Sequence, residues 1–155
     1  MELSGIYLTS VSLCSTKNAA ILGVGHTVLR DAGGADTQWE LRRSTDGVHW
    51  TTLPLPAKLN FPNNQLNVRC DSTDDGFAVT GIPDGKIAAD RVLAVADPQS
   101  AQLAIQQLPS PITTAGLIAW RAGGMTIIEG RGNVYGLSGG RWREYRLPAD
   151  RGSRW

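Results

Sequence analysis

Residues 67–81, NVRCDSTDDGFAVTG, align without a gap with residues 11–25, VSLCSTKNAAILGVG, and this internal repeat is the clearest pattern in the chain. The alignment places Cys14 on Cys70. A third segment, LIAWRAGGMTIIEG at 117–130, fits the same pattern with one small length change. Self-similarity at a spacing of ~20 to 50 residues is typical of proteins built from repeated units. The sequence therefore predicts three copies of one structural unit.

Each unit also ends with a similar short motif. The three examples are WTTLPLP at 50–56, LAIQQLP at 103–109 and WREYRLP at 142–148. Between these landmarks, short apolar and β-branched runs alternate with turns rich in Gly, Pro and Asp. Four such runs in ~40 to 50 residues are typical of one blade of a β-propeller. We therefore predict an all-β fold, a partial β-propeller of three four-stranded blades, with a self-capped β-sandwich or barrel as the alternative.

The length of 155 residues predicts a single domain with its own core. We place the blade-like repeats at about 7–56, 66–111 and 112–148, followed by a short tail at 149–155. No stretch approaches the ~18 consecutive apolar residues that a membrane-spanning helix requires, so no membrane insertion is expected. The first 14 residues contain no Lys or Arg, so we predict no secretory signal in this chain.

The segment 97–108, DPQSAQLAIQQL, permits a second interpretation. Asp97 could cap a helix with Pro98 in its first position. We prefer a turn followed by a strand, because Leu103 occupies the position that tryptophan holds in the first and third units.

Residues 43–56, RSTDGVHWTTLPLP, begin with a compact polar turn. The Asp46–Gly47 pair is typical of a tight turn, because the carboxylate accepts hydrogen bonds from nearby backbone N–H groups and glycine tolerates a positive φ. Ser44 can add a hydroxyl hydrogen bond, and Trp50 begins the outgoing strand. These side chains could form a site or simply build the turn, and we predict that they build it.

This stretch resembles the Asp-box, or BNR repeat, of sialidase-like β-propellers and related bacterial propeller proteins. The family pattern is roughly Ser-x-Asp-x-Gly-x-x-Trp, and the chain matches it with the residue between Asp and Gly missing. The third unit keeps Ser138 and Trp142 but not the Asp, and DRGSRW at 150–155 matches the second half of the pattern. In that family the box is a stabilising hairpin on the outside of the propeller, away from the ligand face. The resemblance therefore implies a structural role for four residues, Ser44, Asp46, Gly47 and Trp50.

The resemblance also raises the question of sialidase-like catalysis. As the family implies it, catalysis needs three clustered arginines, an acidic Asp and a Tyr–Glu pair around the axis of a complete propeller. Suitable residue types are present, among them Arg69, Arg91, Arg121, Tyr135 and Glu144. Three blades do not close the usual ring, so we predict no catalytic residues and a non-enzymatic protein. The alternatives are a carbohydrate-binding module, with exposed Trp side chains in grooves between blades, and a remnant sialidase-like glycoside hydrolase.

No metal site and no cofactor are predicted. His26 and His49 have no partner at the spacing that zinc ligands require. DSTDDGF at 71–77 resembles the start of a calcium loop, but its twelfth position is Ile82, where a bidentate Glu is needed, so we predict a hairpin turn. GRGNVYG at 130–136 lacks the third glycine and the strand-to-helix context of a dinucleotide-binding loop.

The two cysteines, Cys14 and Cys70, occupy matching positions in adjacent units. They could form a disulfide if their Cα atoms lie within ~7 Å, or they could be two small buried thiols. A disulfide would favour an oxidising compartment, periplasmic or extracellular.

Charge is unevenly distributed along the chain. The net charge of +1 indicates neither nucleic acid nor membrane as a partner. Residues 112–155 contain seven arginines and three acidic residues, a net of +4, which leaves −3 for the rest of the chain. Arginine and aromatic residues together are typical of protein interfaces, although any single arginine is more simply the solvent side of a strand. We therefore predict a protein partner and six candidate contact residues, Arg121, Arg131, Arg141, Trp142, Arg143 and Arg146.

These patterns together predict a non-enzymatic β-propeller-type module that binds a protein, as an assembly factor, an adaptor or a toxin-inhibiting immunity-type protein. The apolar faces of a blade must be covered by neighbours, so an open arc of three blades leaves two faces to be covered. A head-to-tail homodimer of two arcs is one way to cover them. A longer propeller, in which 150–155 would belong to a fourth box, and the self-capped fold are the alternatives.

Overall fold

The computed structural model describes residues 7–29, 33–60, 65–82, 91–96, 101–109, 112, 118–130 and 133–146. The predicted contact residue Arg131 and the tail at 149–155 lie outside these ranges, as do Asp97 and Pro98.

The described residues form twelve strands in three four-stranded antiparallel sheets, and the strands of each sheet follow one another in sequence order. The first sheet contains β1 (Tyr7–Ser15), β2 (Ala20–Leu29), β3 (Ala35–Ser44) and β4 (Thr51–Leu53). The second contains β5 (Asn67–Cys70), β6 (Phe77–Gly81), β7 (Val92–Ala96) and β8 (Leu103–Ile105). The third contains β9 (Ala119–Ala122), β10 (Met125–Gly130), β11 (Asn133–Ser138) and β12 (Arg141–Arg146).

This architecture confirms the predicted all-β class. Within the ranges given above there is no helix, and none of the three sheets closes into a barrel. The arrangement is consistent with a partial propeller or a sandwich. A membrane-crossing helix, long and apolar, is likewise not found among these residues. The strand β8 occupies the segment for which a helix was the alternative, and its Leu103 pairs with Ala96 of β7.

The second sheet lies between the other two, and its central strands β6 and β7 are largely buried on both faces. All five residues of β6 are buried. Because successive side chains of a strand point to opposite faces, Phe77 and Val79 pack toward the first sheet while Ala78 packs toward the third. A short continuous apolar run is the pattern expected of such a strand.

Two apolar clusters join the three sheets. The cluster between the first and second sheets includes Ile21, Trp39, Leu41, Val68, Phe77, Val79 and Ala94. The cluster between the second and third sheets includes Ala78, Leu93, Ile112, Ala119, Ile128 and Tyr135. The first strands of the sheets adjoin, since β5 contacts β1 and β9 contacts β5.

A disulfide joins Cys14 of β1 to Cys70 of β5, with the two Cα atoms 5.5 Å apart. Both cysteines point into the interface between the first and second sheets, because their strand partners Ile21 and Phe77 belong to the same cluster. When repeated sheets are related by rotation, equivalent residues of neighbouring sheets point in the same direction along the row of sheets. Cys14 and Cys70 point toward each other, so they are not equivalent residues of the two sheets. The ungapped sequence alignment that pairs them therefore differs from the structural alignment by an odd number of residues.

Candidate functional site

The turn at 44–50 is held together by the side chains that the sequence singled out. The Ser44 hydroxyl donates to Asp46 Oδ1 at 3.0 Å and accepts from the backbone N–H of Gly47 at 2.8 Å. Asp46 Oδ1 also accepts from the backbone N–H groups of Val48 and His49, at 2.9 Å and 2.8 Å. Gly47 has a φ of 76°, a conformation that glycine adopts without strain.

Ser44, Asp46 and His49 meet in this turn, but in the wrong order for nucleophilic catalysis. His49 Nδ1 lies 2.7 Å from Asp46 Oδ2, so the carboxylate stands between the histidine and the serine. A catalytic serine needs the histidine beside its hydroxyl, with the carboxylate behind it. The hydrogen bond from His49 and the bonds from the backbone hold the pKa of Asp46 well below its usual range. The arrangement therefore supports the turn, and the resemblance to an Asp-box remains a prediction.

A second polar loop, 71–76 between β5 and β6, connects the second sheet to the first. Asp75 Oδ1 accepts from the Thr16 hydroxyl and from the backbone N–H of Asn18, both at 2.9 Å. The Asn18 side-chain amide donates to Asp75 Oδ2 at 2.8 Å, and the Lys17 N–H donates to the backbone oxygen of Asp74 at 2.9 Å. These hydrogen bonds lower the pKa of Asp75, those from Asn18 and Thr16 having the largest effect.

The same loop also connects the second sheet to the third. Asp71, which is buried, accepts from the backbone N–H of Gly124 in the β9–β10 turn at 2.7 Å. Its other oxygen accepts from the N–H and the hydroxyl of Thr73, at 2.9 Å and 2.6 Å. Burial raises the pKa of Asp71, but the hydrogen bonds from Thr73 and Gly124 outweigh it and lower the pKa overall.

Arg121 is buried beside this loop, with 4% of its side chain exposed. Its guanidinium lies 3.5 Å from Asp74 Oδ1 and donates to the Thr126 hydroxyl at 2.9 Å. A Cβ atom at position 76 would overlap the guanidinium, so Gly76 provides the space that the arginine needs. The loop is a hairpin connection, as predicted. No group of three or more metal-ligating side chains is placed to hold an ion in the described ranges.

The predicted contact residues do not share one surface. Arg121 is enclosed between the second and third sheets, and Trp142 turns toward the second sheet, where its indole N–H donates to the backbone oxygen of Gln107 at 2.9 Å. Arg141, Arg143 and Arg146 are exposed. Arg146 lies 3.9 Å from Glu144, on the opposite side of β12 from Arg143, so the five predicted residues that the structure describes do not form a single basic patch.

The face of the third sheet that points away from the second sheet is uncovered. Register places Trp120 opposite Ile127, Ile127 opposite Gly136 and Gly136 opposite Arg143 across the four strands. A Cβ atom at Gly136 would lie 2.9 Å from a ring carbon of Tyr145, and the Tyr145 hydroxyl is 3.9 Å from Met125 Sδ, so both side chains close over the glycine. We call this surface the third-sheet face; its residues are Trp120, Met125, Ile127, Gly136, Arg141, Arg143 and Tyr145.

The corresponding outward face of the first sheet is uncovered along β1. Val11 and Leu13 of β1 are 52% and 63% exposed, and they pair with Val24, which is buried, and with Leu22, which is half-buried, on β2. The next strand places charged residues beside them: Glu40 opposite Val24 and Arg42 opposite Leu22. We call this surface the first-sheet face; its residues are Val11, Leu13, Leu22, Val24, Glu40 and Arg42.

Glu40 is the central charge of the first-sheet face. The Arg42 guanidinium lies 2.9 Å from Glu40 Oε2, and His26 Nε2 lies 3.1 Å from Oε1. The hydrogen bond from Arg42 lowers the pKa of Glu40, so the carboxylate stays ionised near neutral pH. About a third of this side chain, 35%, remains exposed.

A groove of about 520 Å³ lies between the second and third sheets. Its lining includes Leu103, Gln106, Leu137 and Ser138. The described residues that line it include no aromatic side chain, and a stacking platform for a sugar ring would need one.

Models of known protein families, curated protein sequences and solved structures were compared with this chain, and none of them matches it. The geometry above is therefore the basis for assigning a function.

Proposed function

We propose that this protein is a non-enzymatic, propeller-type protein-binding module that binds through the uncovered faces of its end sheets. The observation that carries the proposal is the third-sheet face, where Trp120 and Tyr145 are 41% and 44% exposed on a surface that also carries Arg141 and Arg143. Tryptophan, tyrosine and arginine are the residues most enriched at the energetic centres of protein interfaces. Exposed apolar surface with a polar rim is typical of a protein-binding surface.

The competing functions have less support. The cluster of Ser44, Asp46 and His49 has the carboxylate in the middle, which does not activate a nucleophile. The groove between the second and third sheets lacks an aromatic side chain among its described residues, which weakens the carbohydrate-binding alternative. An assembly factor, an adaptor and a toxin-inhibiting immunity-type protein are all consistent with the proposal.

Site-specific photo-crosslinking in cells that naturally produce the protein tests the proposal. A benzophenone amino acid in place of Tyr145 reports on the third-sheet face, and the same amino acid in place of Val48, which is 74% exposed in the 44–50 turn, is the matched control. We expect discrete protein adducts from position 145 and none of the same mass from position 48. Equal labelling at both positions, or no adduct at 145, would contradict the proposal.

A further inference from the structure

We infer that the third-sheet face of one chain packs against the first-sheet face of a second copy, so that two chains associate head to tail. This inference rests on the proposed protein-binding function and names the partner of the same surfaces. Three features favour a second copy as the partner: the repeated interfaces, the positions of the apolar residues and the distribution of charge.

The first reason is that the two uncovered faces are the unused halves of an interface that the chain already makes twice. We call the face of a sheet that points toward the next sheet in sequence order its forward face, and the opposite face its backward face. The forward face of the first sheet packs on the backward face of the second, and the forward face of the second packs on the backward face of the third. The third-sheet face is a forward face without a partner, and the first-sheet face is a backward face without one. A heterologous contact between them repeats the internal arrangement, and two such contacts can close a dimer.

The second reason is that the apolar residues of the two faces lie on corresponding strands. On the first-sheet face they lie on β1 and β2, where Leu13 is opposite Leu22. On the third-sheet face they lie on β9 and β10, where Trp120 is opposite Ile127. First strands adjoin at both internal interfaces, so the same stacking between chains would bring these apolar strands together. Burial of this surface would provide most of the binding free energy.

The third reason is charge. Arg141 and Arg143 stand on β12 of the third-sheet face, and the partly exposed carboxylate of Glu40 stands on β3 of the first-sheet face. A head-to-tail contact brings the two arginines toward Glu40, which also pairs with Arg42 within its own face, so these charges contribute to orientation rather than to most of the affinity.

Light scattering after size-exclusion chromatography tests the inference. The wild-type chain should have twice the chain mass of 16.6 kDa and should dissociate on dilution. Leu13→Glu and Trp120→Glu each place a charge on one of the two faces, and each should be monomeric at concentrations where the wild type is dimeric. Val48→Glu adds the same charge at an exposed apolar residue outside both faces and should remain dimeric.

Mixing the two variants distinguishes a heterologous contact from a symmetric one. Leu13→Glu retains an intact third-sheet face, and Trp120→Glu retains an intact first-sheet face. An equimolar mixture should therefore regain a dimer through one intact contact, although neither variant dimerises alone. A dimeric Leu13→Glu variant, or a mixture that stays monomeric, would overturn the head-to-tail arrangement.

Two further measurements separate folding and function from assembly. Circular dichroism spectra should match the wild type, and thermal unfolding should match it at dilutions where both are monomeric. Val11→Lys with Arg143→Glu provides a second pair of variants for the same mixing experiment. A wild-type monomer across the dilution range would overturn the inference. If benzophenone at position 145 then still yields adducts with other proteins, the proposed function stands without it, whereas no adduct at all would remove both.

Discussion

Asp46 and Asp71 both accept several hydrogen bonds through their carboxylates, but they stabilise different parts of the structure. Asp46 accepts its hydrogen bonds from Ser44, Val48 and His49 within its own turn, so it stabilises a local structure. Asp71 accepts from Gly124 in another sheet, so it stabilises the contact between two units. A carboxylate that accepts from several N–H and O–H groups is stabilised in its ionised form. Aspartate side chains therefore stabilise both a turn within one sheet and a contact between two sheets.

Acid should destabilise the folded chain through these carboxylates. The pKa values of Asp71 and Asp75 lie below their ordinary value of 3.8, so their contribution is fully present above that pH. It is lost as the pH falls through the lower pKa values of the folded state, because the unfolded chain then binds more protons. We expect the free energy of unfolding, measured with urea, to fall as the pH is lowered below about 4.

The variant Asp71→Asn provides the control for this experiment. In either orientation its amide places an N–H donor against Gly124 or Thr73, so stability at neutral pH should fall by about 1 to 3 kcal/mol. The pH dependence should also become shallower, whereas Ser72→Ala, at an exposed neighbour, should behave as the wild type. Identical pH dependence in Asp71→Asn and the wild type would exclude a role for this carboxylate.

At the scale of elements, β6 determines how the three sheets pack. It is short, apolar and buried throughout, and its alternate residues belong to the two different clusters. The end sheets differ from it because each has one buried and one uncovered face. Accordingly, the sequence of the central strand β6 is a largely apolar run, whereas the sequence of the edge strand β12 mixes aromatic and charged residues.

Truncation of Phe77 should show the importance of this central strand. Its side chain is 1% exposed at the interface of the first and second sheets, so Phe77→Ala should reduce the free energy of unfolding by about 3 to 5 kcal/mol. Val11→Ala, on an apolar residue of the first-sheet face that is 52% exposed, should cost the monomer far less. Urea denaturation of both variants at a concentration where the chain is monomeric provides the comparison. Similar losses in the two variants would show that the assigned core is wrong.

At the scale of the whole molecule, hydrogen bonds and apolar contacts join both pairs of neighbouring sheets, and a disulfide additionally joins the first two. The disulfide joins residues separated by 56 positions, and it crosses the interface that contains the larger cluster. The contact between the second and third sheets has Asp71, Arg121 and Trp142 as its polar links. The two interfaces should therefore respond differently to reducing conditions.

Reduction of the disulfide should lower stability by roughly 2 to 4 kcal/mol, because it releases a loop of this length in the unfolded chain. Peptide mapping without reductant should recover Cys14 and Cys70 in one linked pair, and Cys14→Ala/Cys70→Ala should reproduce the stability of the reduced wild type. Two thiols that alkylate freely in the native protein would contradict the pairing and remove the argument for an oxidising compartment.

Local sequence determined the secondary structure of this protein. The Asp46–Gly47 turn, the alternation of short apolar runs with turns and the all-β class all follow from interactions between residues close in the chain. The strand β8 could be predicted from the internal repeat, because Leu103 occupies the position that tryptophan holds in the other two units. Such features depend on backbone conformation and on the period of two along a strand, which a sequence displays directly.

Tertiary structure alone decided which faces meet. Arg121 and Arg143 look alike in the sequence, yet one is buried beside Asp74 and the other is exposed on the third-sheet face. Cys14 and Cys70 align as equivalents but face each other across an interface. A shift of one residue in a strand exchanges its two faces, so small differences in loop length between units decide what is buried. That register depends on packing between sheets, which no local pattern records.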